Sequence, residues 1–259
     1  REYAMLRNNE SKYTDLFGNW EDRDLYATAP TNDWQDQVFG RVGHTFNHNL
    51  SITGGSEKTK FNFGYAHVND KAIMIGSSFR RDNLSLKLNH KVNKKVTLDF
   101  SMRYANTVVN GAGAQESKNE VSSSDSRMKN VMIYPMFNFP DLSDSYDPDF
   151  NLTQPLTAVR DADKKQNRQN FNMNGSFTWE IIKNLKFKTE FGLDWYYNTD
   201  KRYYGVTTYN ARTNSTDSEG THPMATFTDT ERHTFRNTNT INYDFKTLIK
   251  NKDHSLNLL

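Results

Sequence analysis

The chain contains no cysteine, and that excludes disulfide frameworks and thiolate metal sites without fixing a compartment. It has only six prolines in 259 residues. Proline removes ladder hydrogen bonds, so its scarcity suits long paired strands. No apolar run approaches the roughly 20 residues of a membrane helix. Mean hydropathy is −0.89, which excludes a helical membrane protein but not a spanning β-barrel, where only alternate residues meet lipid. Neither charge sign is in surplus: Lys and Arg total 33 against 31 Asp and Glu. A nucleic-acid footprint needs a concentrated basic excess, and the most basic run, Lys91–Lys95, reads as a charged turn.

What is present is aromatic side chains, 17 Phe, 13 Tyr and 4 Trp, and a period of two. The first 39 residues have no sustained period and are expected to hold short helical or irregular pieces. Then Phe46, His48, Leu50 and Ile52 alternate with Asn47, Asn49, Ser51 and Thr53. Further alternating sets run through Phe61–Tyr65, Leu84–Val92, Val96–Tyr104, Phe171–Trp179 and Leu185–Trp195, with a weaker one at Phe235–Phe245. Helices do not produce this pattern.

The connections alternate as strictly as the residues. Gly54–Lys58, Asn93–Lys95 and Lys183–Asn184 read as short turns, and Asp70–Arg81, Asn106–Arg168 and Asn198–Arg232 as long segments. Outer-membrane barrels have short periplasmic turns and long outer loops, whereas sandwiches turn every 8–12 residues on both sides. Strands of about 10–14 residues meet the roughly 9–11 that a spanning strand needs. Trp179, Trp195, Tyr196 and Tyr197 sit near expected strand ends, as interface belts require, although such rings also fill soluble cores. The fold class is all-β, with roughly seven to eight antiparallel strands forming part of a large transmembrane barrel.

Between Asp33 and Tyr104 the residues carry more than alternation. The order "DWQDQVF", "NHNLSITGGSEKTKFNFGY", "FRRDNLSLKLNHKVNKKVTL" resembles the early barrel of the SusC/RagA family, TonB-dependent (TonB-linked) outer-membrane transporters of the Bacteroidota. "GYAHVNDKAIM" departs from that family's usual glycine-containing strand end, and beyond residue 104 only the hairpin architecture persists. The resemblance implies a 22-stranded barrel with an N-terminal plug and a TonB-contact segment, both absent from this sequence. It implies a SusD-like surface lipoprotein as lid, outer-membrane lipid around the strands, and import of oligosaccharide or peptide. Arg1 starts without Met or a signal peptide and "HSLNLL" reads as a strand beginning, so an internal barrel fragment is expected.

On that reading, residues 1–44 lead into or lie within the early barrel. Residues 45–259 carry strands, with extracellular loops at 105–168 and 198–232. Asp99, Arg103, Lys186, Lys188, Glu190 and Asp194 belong to the polar sets and are the candidate lumen-facing residues. Tyr134, Phe137, Phe139 and Tyr146 in the first loop, and Tyr203, Tyr204 and Tyr209 in the second, are candidate ligand or lid contacts. Rings there stack on sugar faces, or pack on one another to hold the loop. "SSDSRMKNVMIYPMFNFP" is expected to hold a short helix ending before Pro135.

No enzyme or cofactor motif emerges. His44 and His48 would share a helix face, but on a strand four steps separate them by ~13 Å. Asp141, Asp144, Asp147 and Asp149 lack the EF-hand spacing and its Gly, and a solvated acidic loop is expected. Gly111 and Gly113 have no third Gly, and Ser122–Ser124 have no base beside them. The competing readings are a barrel with a loop-borne enzyme site, and a β-rich surface binding module whose apolar strand faces pack together in water.

Overall fold

The structure is a computed structural model and describes residues 14, 19, 24, 30–111, 127–134, 136, 146–147, 152–214, 220–245 and 257–258. A short helix α1 (Trp34–Phe39) precedes strands β1 (His44–Gly55), β2 (Thr59–Lys71), β3 (Ser78–Lys91) and β4 (Val96–Asn110). Helix α2 (Arg127–Ile133), the two-residue pair β5 (Tyr146–Asp147) and β6 (Leu152–Thr153), and helix α3 (Pro155–Arg160) follow. Strands β7 (Ala162–Ile182) and β8 (Leu185–Tyr204), helix α4 (Tyr209–Asn214), β9 (Met224–Asp244) and β10 (Asn257–Leu258) complete the order. One antiparallel sheet runs β1-β2-β3-β4-β7-β8-β9-β10, with every strand beside its predecessor except where β5 and β6 form their own pair.

Register turns the sequence alternation into two faces. Ile52 opposes Phe63, Phe63 opposes Leu86, Leu86 opposes Met102, and the row continues through Met173 and Leu193 to Phe235. The next row towards the long connections holds Leu50, Tyr65, Leu84, Tyr104, Phe171, Trp195 and His233. On β8 this apolar face spans Leu185 to Trp195, ten steps or about 34 Å along the strand. At a tilt of ~40° that is roughly 26 Å of height, against the ~25 Å apolar band of outer-membrane barrels.

Among the described residues no second sheet covers this face. Phe46, Leu50, Ile52, Phe61, Phe191, Phe235 and Ile241 are between 39% and 69% exposed, and all lie on it. Soluble monomers rarely expose so large a contiguous apolar patch. The packed apolar faces expected of a water-soluble module are therefore not what this sheet has. It is an arc of a large β-barrel, and the all-β expectation of seven to eight strands holds.

The short turns are built as their residues dictate. In the first hairpin the ladder continues through Gly54 and Gly55, so the expected Gly54–Lys58 turn shrinks to Ser56–Lys58. Gly55 sits at φ +152°, and a Cβ there would meet the Thr59 carbonyl at 2.2 Å. Asn93 closes the second turn, its Oδ1 accepting the Lys95 and Val96 amides at 2.8 and 2.9 Å. Asn184 takes φ +70° between β7 and β8.

The long connections are shorter than the expected segments. Only residues 72–77 link β2 to β3, where Asp70–Arg81 was expected. The expected loop 105–168 contracts to 111–161, and 198–232 to 205–223, because β4, β7, β8 and β9 run on. Ala162 pairs with Tyr204 and Tyr204 with Met224, so the ladder persists where both faces are polar and no alternation marks a strand. Trp195 consequently lies mid-strand rather than near a strand end.

At the long-connection end α1, α2 and α3 pack against one another. Asp33 caps α1, accepting the Asp36 amide at 2.8 Å. Trp34 and Val38 are buried, and Arg41 donates to the carbonyls of Ala72, Met74 and Ser77 at 2.6–2.7 Å. One guanidinium thus satisfies three carbonyls of the β2–β3 connection. The helix expected before Pro135 is α2.

Candidate functional site

The polar sets of six strands line a single trough. Lys60 and Asn62 of β2, Lys87 and Asn89 of β3, Asp99 and Ser101 of β4, Asn174 and Ser176 of β7, Lys188 and Glu190 of β8, and Arg236 and Thr238 of β9 enclose about 750 Å³. A trough spanning six neighbouring strands forms only if the sheet curves around that face. The apolar band is therefore the convex side.

Register places all six polar-set candidates on this concave face. Asp99 opposes Ser176, which opposes Glu190; Arg103 opposes Asn172, which opposes Asp194; Lys188 opposes Thr178; Lys186 opposes Glu180. Their contacts differ. Asp99 accepts from Asn89 Nδ2 at 2.6 Å and from Ser176 Oγ at 3.3 Å. Lys188 pairs with Glu190 at 2.6 Å. Asp194 accepts from Asn172 and, at 2.9 Å, from Arg236 Nη2, while Asn174 donates to Asn172 at 2.8 Å. Gly192 lies in the adjoining row between Asn174 and Arg236, where a Cβ would meet Asn174 Oδ1 at 3.1 Å and Arg236 Nε at 3.4 Å. Lys186 and Arg103 make no such contact among the described residues.

Towards the long connections the concave face becomes covered. Thr107, Val109, Ala162, Lys164, Gln166, Asn198, Asp200 and Tyr204 are all buried, and register puts every one on that face. Asp200 and Arg202 pair there at 2.7 Å. Arg202 lies seven residues beyond Trp195, outside the apolar band, and hydrogen bonding to Asp200 holds its guanidinium more firmly protonated than usual. Asp161 clasps the end of this hairpin. It accepts from the Thr207 amide at 2.9 Å and hydroxyl at 2.5 Å, and its carbonyl receives the Gly205 amide at 2.7 Å. Glycine at position 205 leaves room for this clasp, since a Cβ there would lie 1.8 Å from Asp161 Oδ1 and displace the carboxylate.

The aromatic candidates separate. Tyr134 packs edge-on against Trp34, ring centroids 5.6 Å apart. Tyr204 is buried on the concave face with Lys164 Nζ 5.5 Å from its ring centroid. Tyr203 faces the convex side, 47% exposed, and Tyr209 is half-buried at the start of α4. Phe137, Phe139 and the side chain of Tyr146 lie outside the described residues. The belt expectation also divides. Trp195 and Tyr197 stack on the convex face, and Trp195 Nε1 donates to Glu231 at 2.9 Å, apolar ring towards the band and polar tip away from it. Tyr196 faces the concave side, beneath Arg232.

Arg41, Asp161, Arg202 and Arg236 carry much of this geometry, and none stands out in the sequence. Each lies in a segment without clear alternation or next to one, and each partner is 2 to 46 residues away.

No family model matches the chain. Two curated TonB-dependent receptors of Formosa agariphila are similar to it, one 22% identical over 178 residues and one 28% identical over 102 residues. These matches cover 64% and 39% of this chain and 17% and 10% of the receptors, so the chain spans a small part of their length. Structures of the RagAB peptide importer in its closed-closed and open-open states superpose with a TM-score of 0.60 at 19% identity. They cover 90% and 89% of this chain, which matches 26% of the importer chain. The resemblance to SusC/RagA-type TonB-dependent transporters is thus borne out, as is the fold of an internal barrel arc.

Proposed function

We propose that the chain is an internal arc of an outer-membrane nutrient importer energised by TonB, taking up oligosaccharide or peptide beneath a SusD-like surface lipoprotein. The observation that carries this reading is the sheet's two-sidedness. A convex apolar face about 26 Å tall and a concave polar trough are held in register across seven long strands. Lipid satisfies no backbone groups, so the β1 edge and the stretch of β9 beyond its two-residue pairing with β10 call for further strands of a closed barrel. The likeness to TonB-dependent receptors and to a peptide importer agrees with this.

In this reading Asp99, Arg103, Lys186, Lys188, Glu190 and Asp194 face the lumen. Residues 1–44 lead into the barrel, the short turns are periplasmic, and the long connections are extracellular. Tyr134, Phe137, Phe139, Tyr146, Tyr203, Tyr204 and Tyr209 stay candidate ligand or lid contacts; the buried, concave-facing Tyr204 supports that role best, whereas Tyr134 packs on Trp34 and Tyr203 faces the convex side. The relatives' names describe receptors and importers, and the chain's role is transport rather than catalysis.

Deleting the gene in its host, and separately removing TonB, tests the proposal by growth on defined oligosaccharides or peptides. Loss of uptake of the same substrate in both strains is expected, with the protein in the outer-membrane fraction. Unchanged uptake of every substrate in the deletion strain, with the protein still in the outer membrane, returns the reading to a barrel without a transport role.

A further inference from the structure

The concave face between the open trough and its covered end carries arginines that form no ion pair among the described residues; the carboxylates of the flanking row, Asp70 and Asp200, are taken by Thr45 and Arg202. Register aligns three rows there. One runs Ser85–Arg103–Asn172–Asp194, the next Asn83–Ala105–Asn170–Tyr196–Arg232, and the third Arg81–Thr107–Arg168–Asn198. Their single carboxylate, Asp194, is already bound by Arg236. Among the described residues Arg81 donates only to the neutral Asn83, and Arg232 lies over the Tyr196 ring. Arg103 and Arg168 have neither hydrogen bond nor ion pair among the described residues.

Arg168 and Asn198 stand opposite each other in the β7–β8 ladder. Arg168 Nε and Asn198 Oδ1 are both buried without a partner, and Asn198 is only 7% exposed. A buried donor and a buried acceptor left open side by side cost free energy unless something joins them. A guanidinium drawn out of water without a counter-charge costs more. Arg81 and Arg168 are two strand spacings apart, about 10 Å, and Arg103 lies about 14 Å along the strand from that row. The intervening Asn83, Asn170 and Asn172 offer amides for neutral groups between charges.

Resting on the importer reading, we infer that these four arginines form an oxyanion-binding strip, so that the transported oligomer carries carboxylate groups. Guanidinium groups take such groups in paired hydrogen bonds, and the half-buried setting of Arg168 limits screening. The hydroxyl of a sugar or the amide of a peptide, donating to Asn198 Oδ1 while its oxyanion meets Arg168, would satisfy both orphaned atoms.

The test uses the full-length chain in detergent, with a galacturonate hexamer, a glutamate hexapeptide and a neutral glucose hexamer as probes in calorimetry. At least one acidic probe is expected to bind about tenfold or more tighter than the neutral one, and about 300 mM salt to weaken it. Arg103→Gln with Arg81→Gln, both at exposed positions, should lower that affinity about tenfold, as should Arg168→Gln. Which acidic probe binds separates a carboxylated glycan from an acidic peptide. Equal binding of neutral and acidic probes, no binding of either acidic probe, or acidic binding untouched by the exposed pair of substitutions overturns the inference. Those outcomes leave TonB-dependent uptake intact, whereas unchanged growth in the deletion strain strikes the importer reading itself.

Discussion

Arg236 Nη2 on β9 reaches Asp194 Oδ2 on β8 at 2.9 Å, in the row next to Gly192. Both side chains are more than a third exposed, at 61% and 38%. Solvent therefore screens the pair, and Arg236→Ala should cost under about 1 kcal/mol of stability. Urea unfolding of the full chain in lipid vesicles checks this. A cost of several kcal/mol would mean that the pair is far less hydrated than the trough's geometry implies.

The Asp200–Arg202 pair belongs to a different environment, with side chains 10% and 24% exposed. Removing one partner of a buried pair strands the other charge, typically at 3–5 kcal/mol. Because Arg202 keeps some solvent, Asp200→Ala is expected at about 3 kcal/mol. The same unfolding measurement should show it clearly larger than Arg236→Ala, and a smaller effect contradicts the burial argument.

Neighbouring residues on one strand should respond oppositely to charge. Met102 sits in the middle apolar row and Ser101 in the trough. Met102→Arg should cost about 2–4 kcal/mol in a bilayer, and Ser101→Arg under about 1 kcal/mol. If both are tolerated alike in vesicles, the convex face does not meet lipid.

These 259 residues hold no cysteine, so an introduced thiol is unique within the arc. A fluorophore on Leu193→Cys should be quenched by brominated lipid, and one on Asp194→Cys should respond instead to aqueous iodide. Reversed or identical responses would invert the assignment of faces.

Gly205→Ala places a Cβ against the Asp161 carboxylate and should break the clasp that holds Thr207. Losing two hydrogen bonds to a charged group, offset by solvent, suggests about 2–3 kcal/mol locally. Hydrogen exchange should speed at residues 205–212 while the mid-strand amides of β8 stay protected. Uniform acceleration along β8 would show that the clasp supports the whole strand instead.

Much of the fold was legible because lipid and lumen impose opposite chemistry on successive residues. Leu185 to Trp195 could be read as a two-faced strand from its letters alone. Ala162–Gln169 and Asn198–Tyr204 could not, since both faces are polar there and only backbone ladders hold them extended. The same gap made the connections look longer than they are. The six polar-set candidates were found because parity assigns a face. Arg168 was missed because it lies before the alternation of β7 begins.

Sequence by itself determined which residues share a strand face, since the side-chain period of two leaves no choice once the backbone is extended. It also pointed to a barrel arc, through strand length and the alternation of short and long connections, while the soluble module was set aside only by the exposed apolar face of the folded sheet. Only tertiary structure decided which residues become neighbours across strands. Register depends on turn geometry, on the φ of Gly55 and Asn184, and on ladders continuing through polar segments. Parity alone could put Arg81, Arg103, Arg168 and Arg232 on one side of a sheet. Their assembly into adjacent rows with a single committed carboxylate required four hairpins in one register.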